Sequence, residues 1–134
     1  MQLYRFIFIF SSLLLNLNSF GQTEESLLKE LQNVEGIEAA KIYNQLSKTV
    51  LKKNPEKSTD YAKEAIKLAN KNQKELSTAY INSGQGYSSL KEYRKAIEYY
   101  DKALIIYNSN NITKGVAYTN LLTGRAYQKL NKSK

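Results

Sequence analysis

From residue 23 onward, apolar residues return every three or four positions, and nowhere do they alternate strictly with polar ones. That spacing puts apolar side chains on one face of a helix, so it predicts amphipathic helices and no strands. Interruptions fall at "EG" (35–36), "NP" (54–55), "KN" (71–72), "KE" (91–92) and "NSNN" (108–111). Six helices are therefore expected, over 23–33, 37–53, 56–72, 74–90, 92–108 and 112–131. One feature disturbs the pattern: Gly84 and Gly86 sit inside the fourth helix. Each costs about 1 kcal/mol relative to alanine in a helix interior, so some contact must offset it.

The chain also resembles itself. "AKEAIKLA" (62–69) superposes on "YDKALIIY" (100–107) with a shift of 38, and "GQGYSSL" (84–90) on "GRAYQKL" (124–130) with a shift of 40. Two helices per unit at such a period predict a helical solenoid. Within one unit, Tyr80, Gly84 and Tyr87 on the first helix are followed by Ala96, Tyr100 and Ala103 on the second. This set resembles the tetratricopeptide repeat (TPR), whose pattern pairs an aromatic, a Leu-Gly step and a tyrosine with Ala, Phe/Tyr and Ala. The resemblance implies an all-α solenoid of antiparallel helix hairpins, about two and a half repeats long. In it Gly84 lets the second helix approach the first, and Gly124 and Tyr127 repeat the packing set in the third unit. Residues 77–110 fit well, with Ser83 in place of the usual leucine. The unit before it fits less closely: Leu46-Ser47 stands for Leu-Gly, Val50 for the tyrosine and Ser58 for the alanine. The division expected is a flanking helix at 23–36, repeat 1 at 37–72, repeat 2 at 74–110 and a partial repeat 3 or cap helix at 112–134.

Ahead of the repeats, "MQLYRFIFIFSSLLLNLNSFGQ" carries one charge, Arg5, then an apolar run from Phe6 to Leu17. Small residues at Ser19 and Gly21 precede Gln22, which is the layout of a signal peptide over 1–21 cleaved at Gly21-Gln22. The apolar run is too short for a spanning helix, and no membrane span is expected in the mature chain. An exported protein, periplasmic or extracellular, follows. The leader ending "FGQ", "SLLKELQNVEG" and the repeat segments together are similar to the N-terminal extracytoplasmic repeat region of Bacteroidetes-type sensor histidine kinases. That likeness implies either a stand-alone secreted repeat protein or the input piece of a sensor.

All four phenylalanines lie in the leader, so tyrosine is the mature chain's aromatic residue, and each phenol needs water or a partner at its rim. The formal net charge is +8, and removal of the leader leaves 19 basic against 12 acidic residues, +7. No acid follows Asp101, whereas Lys102, Lys114, Arg125, Lys129, Lys132 and Lys134 do. The lysines are otherwise spread around the helices instead of forming one stripe, which speaks against nucleic acid; a basic adhesion or nucleic-acid binder is the remote alternative.

With no histidine and no cysteine, the usual nucleophile–base pairs and soft-metal sites are missing, so no enzyme activity, metal or cofactor is expected. "GQG" at 84–86 follows no strand and opens no helix, so it does not read as a phosphate loop. What remains is a protein–protein interaction module. The family resemblance implies a concave groove lined from the first helix of each unit: Lys41, Asn44, Lys48 and Lys52; Thr78, Ile81, Asn82, Gln85 and Ser89; Tyr118, Leu121, Arg125 and Lys129. Asn82 falls where such repeats bond a peptide backbone. The expected ligand is a protein or peptide, acidic in view of the basic C-terminal third. So short a stack is expected to be marginal, or to draw stability from self-association.

Overall fold

The computed structural model describes residues 21–133. The expected leader lies outside the described residues, apart from Gly21. Six helices follow in order: α1 Glu24–Leu31, α2 Gly36–Val50, α3 Pro55–Ala69, α4 Gln73–Ser89, α5 Tyr93–Ser109 and α6 Thr113–Lys132. There is no strand among the described residues, and none of their helices is long and apolar enough to cross a membrane. Each helix packs against its predecessor, and α2 also touches α4. Hairpins α2–α3 and α4–α5 are thus stacked side by side, with α1 ahead of them and α6 behind.

Local chemistry sets the boundaries. Thr23 Oγ1, Asn54 Oδ1 and Asn72 Oδ1 accept from the backbone N–H groups of Ser26, Lys57 and Glu75, capping α1, α3 and α4. Pro55 stands at the first turn of α3, where its missing N–H costs nothing. The second helix, expected to reach residue 53, ends at Val50, because Asn54 must be extended to cap α3 and the chain has to leave the helix ahead of it. At the α4–α5 and α5–α6 turns, Lys91 and Asn111 adopt left-handed φ of 63° and 56°. The N–H after each reaches back to Tyr87 O and Tyr107 O, both at 2.9 Å, closing the helix ends.

Two apolar clusters form the core. Leu27, Ile42 and Leu46 join α1 to the first hairpin, with Tyr43 and Tyr61 at the edge. Ile81, Ala96, Ile97, Tyr100, Ala103 and Ala126 join α4, α5 and α6, with Tyr80, Tyr87, Tyr107, Leu122 and Leu130 partly buried against them. The second helix of each hairpin presents alanines where the helices cross: Ala62, Ala65 and Ala69 on α3, Ala96 and Ala103 on α5. Across α2–α3 the crossing is polar. Ser47 Oγ donates to Ser58 O and Ser58 Oγ to Ser47 O, each at 2.8 Å.

On one flank of the second hairpin, Tyr87 and Tyr99 stack at 5.4 Å, and Tyr80 lies 6.2 Å from Tyr99. Lys63 and Lys95 stand over the Tyr87 ring and Lys102 over Tyr80 and Tyr99. The phenols expected to need a polar rim find it here in ammonium groups as well as in water.

Candidate binding cleft

The two glycines inside α4 have different partners. A Cβ on Gly84 would run into the ring of Tyr100 from α5. One on Gly86 would meet the Thr59 methyl and lie 3.4 Å from the Pro55 carbonyl, both on α3. Gly84 thus admits the second helix of its own hairpin, and Gly86 the second helix of the hairpin before. The backbone cost of both residues is offset by the close approach of three helices.

Tyr100, whose ring packs against Gly84, is 1% exposed and is also one of the residues that line a cleft between α4 and α6. This cleft of about 460 Å³ is lined by Gln85, Ser88 and Ser89 of α4, Leu122, Arg125, Gln128 and Lys129 of α6, and Tyr100 and Leu51. Gln85 Nε2 donates to Tyr118 Oη at 2.9 Å, tying α4 to α6 at its border. Two cations, Arg125 and Lys129, line the cleft, and among the described residues no carboxylate does. Burial pushes the Tyr100 phenol up to about 12; neighbouring Tyr118 adds to the shift and a hydrogen bond with Ser88 opposes it. At neutral pH this phenol is protonated and can donate.

Of the groove residues expected from sequence, Gln85, Ser89, Arg125 and Lys129 line the cleft and Tyr118 borders it through Gln85, whereas Ile81 is corrected to a core residue, buried in the second apolar cluster between α4 and α5. Lys41 and Lys48 stand exposed on α2 away from it, and Lys41 is paired to Glu38 at 2.6 Å. Asn44 and Asn82 require a correction: neither faces a groove. They are 3% and 2% exposed. Asn82 Nδ2 donates to both O and Oδ1 of Asn44, and Asn44 Nδ2 to O and Oε2 of Glu75, all at 3.1 Å. The reason is that α2 and α4 touch directly, so the Asn82 and Asn44 side-chain N–H groups find acceptors across the contact on Asn44 and the buried Glu75, while Asn82 Oδ1 stays buried with no partner among the described residues.

Tyr80, Gly84, Tyr87, Ala96, Tyr100 and Ala103 lie in or against the second apolar cluster. The packing role expected of Gly124 and Tyr127 is also corrected. Nothing lies within 4 Å of a Cβ built on Gly124, and Tyr127 is 49% exposed, because among the described residues no helix covers that side of α6. Sequence reasoning missed Ser88, Gln128 and the cleft role of Tyr100. The available signal was the bare glycine facing a tyrosine: a phenol buried at a helix crossing needs a polar partner beside it, here Ser88.

Residues 77–110, most of the α4–α5 hairpin, match the family model described as tetratricopeptide repeat. No curated protein and no solved structure matches the chain. The helix-hairpin solenoid expected from the repeats is the architecture observed.

Proposed function

We propose that the protein is an exported, non-catalytic interaction module whose cleft holds an acidic segment of a partner protein. The observation that carries this reading is the pairing of Arg125 and Lys129 in a cleft that contains no carboxylate to neutralise them. A guanidinium presents a planar fork that fits a carboxylate through two parallel N–H donors, and the ammonium adds a second cation one helical turn away. Gln85, Ser88 and Gln128 supply neutral donors and acceptors for a peptide backbone. A protein ligand is favoured by the tetratricopeptide match over 77–110, and export by the leader pattern of residues 1–21.

Fluorescence anisotropy with short acidic peptides, and with the same peptides carrying Asn and Gln for Asp and Glu, tests this. The acidic set binds and the neutral set does not, and Arg125→Glu abolishes binding while circular dichroism keeps the helical spectrum. Equal binding of both sets, or acidic binding untouched by Arg125→Glu, overturns the reading. Mass spectrometry of the secreted protein gives Gln22 as its first residue if export follows the proposed route.

A further inference from the structure

A second cleft, of about 500 Å³, lies at the other end of α4. Its walls include Lys74, Ser77 and Thr78 of α4, Ile106 and Tyr107 of α5, and Ile112 of the α5–α6 turn. Like the first cleft it holds a cation and, among the described residues, no carboxylate. It differs in its apolar side. Ile112 is 43% exposed and occupies the N-cap position of α6, where an isoleucine has no side-chain atom to accept a backbone N–H. The matching position one repeat earlier is Asn72, which caps α4 from a similar backbone conformation, φ −74° and ψ 95° against −88° and 78° at Ile112. An apolar side chain at the edge of the cleft thus stands where a cap would fit.

Helix periods place the two clefts on one side of the hairpin. Lys74, Thr78, Gln85 and Ser88 follow one another at spacings of four, seven and three, which makes one stripe of α4; the first pair lines the second cleft and the last pair the first. On α5, Tyr100 of the first cleft and Tyr107 of the second stand seven residues apart, on one face. On α6, Tyr118, Leu122, Arg125 and Lys129 recur at four, three and four along the wall that faces α4, where Gln85 donates to Tyr118. That wall is not the Gly124 side of the helix, so both clefts are bounded by described elements. Ser88 lies ten residues beyond Thr78, roughly 15 Å along the helix. An extended peptide covers that span in about five residues.

We infer that the two clefts hold one extended peptide: its acids meet Arg125 and Lys129, and a bulky apolar side chain about five residues away seats in the second cleft against Ile106, Tyr107 and Ile112. This rests on the acidic-segment reading of the first cleft and narrows it from a charge to a spaced motif. Between its two anchors the peptide crosses the Gln85–Tyr118 bond, beside a Tyr118 ring that is 46% exposed. Charge complementarity selects the acidic end, and the isoleucines with Tyr107 select the apolar one.

Fluorescence anisotropy with labelled Gly/Ser peptides tests this, each carrying an Asp-Glu pair and one leucine placed from about one to about ten positions away on either side of the acids. Affinity peaks at a separation of about four to six positions, roughly tenfold above the same peptide with serine for leucine. Ile112→Asn removes that gain and leaves the affinity of the serine peptide unchanged. Its thermal midpoint stays at or above that of the parent, because asparagine supplies the missing cap. Arg125→Glu abolishes binding of every peptide. Equal binding of leucine and serine peptides, an optimum outside that spacing, or a leucine gain untouched by Ile112→Asn overturns the inference and leaves the proposed function standing. Failure of every acidic peptide to bind overturns both.

Discussion

The ring of Tyr100 lies where a Cβ on Gly84 would stand, and the same tyrosine is one of the residues that line the cleft between α4 and α6. One missing methyl group thereby serves packing and site construction together. With a side chain at position 84 the phenol would have to leave the crossing, and the cleft would lose one of its lining residues.

The two glycines at equivalent repeat positions are predicted to respond oppositely to the same change. Gly84→Ala drives a methyl into the buried Tyr100 ring, and overpacking of about 1–3 kcal/mol exceeds the roughly 1 kcal/mol of helix propensity recovered. Gly124→Ala meets nothing and retains the propensity term alone, stabilising by about 0.5–1 kcal/mol. Urea unfolding midpoints at unchanged slope read both values, and shifts of the same sign would contradict the packing described.

Asn44→Ala is predicted to destabilise by about 2–3 kcal/mol, since it strips partners from the buried Glu75 carboxylate and the Asn82 amide at once. A residue pointing into an open groove would change stability by no more than about 0.5 kcal/mol. Denaturation of this variant therefore distinguishes a strut between α2 and α4 from a ligand contact.

Alkaline pH is predicted to unfold the second hairpin through Tyr100. Its folded pKa of about 12 lies above the ordinary tyrosine value of about 10, so the unfolded chain loses the proton first. The contribution is complete below about pH 10 and is lost as pH climbs toward 12, up to about 2–3 kcal/mol. Thermal melts of the protein and of Tyr100→Phe across that range show a shallower decline in the variant, whereas parallel declines would exclude Tyr100 as the source.

Periodicity and turn residues made the helices legible, because a helix in a solenoid meets only near neighbours and its apolar stripe is written within about fifteen residues. The close approach at Gly84 was legible for the same reason, since Tyr100 follows it by a single hairpin. Asn44, Glu75 and Asn82 were not. Their partnership depends on α2 touching α4 across the whole of α3, and a buried amide spaced 38 residues from its partner looks in sequence like a polar residue on a helix's open side. Gly86 stood between these cases: its small size was evident, but the Thr59 and Pro55 surface facing it belongs to the preceding hairpin.

Among the described residues, helix α6 is supported along one side, by α5 and the Gln85–Tyr118 bond, and it carries Leu122, Arg125, Gln128 and Lys129, four of the nine residues that line the cleft. The cleft thus exists only while α6 is docked, so undocking of that helix and loss of the proposed ligand's affinity are one equilibrium seen by two observers. The proposed ligand, bridging α4 and α6, would act as a clasp between these two helices. Slowed amide exchange in α6 would then serve as the signature of occupancy by the proposed ligand, and whatever loosens α6 also sets how often the cleft is formed.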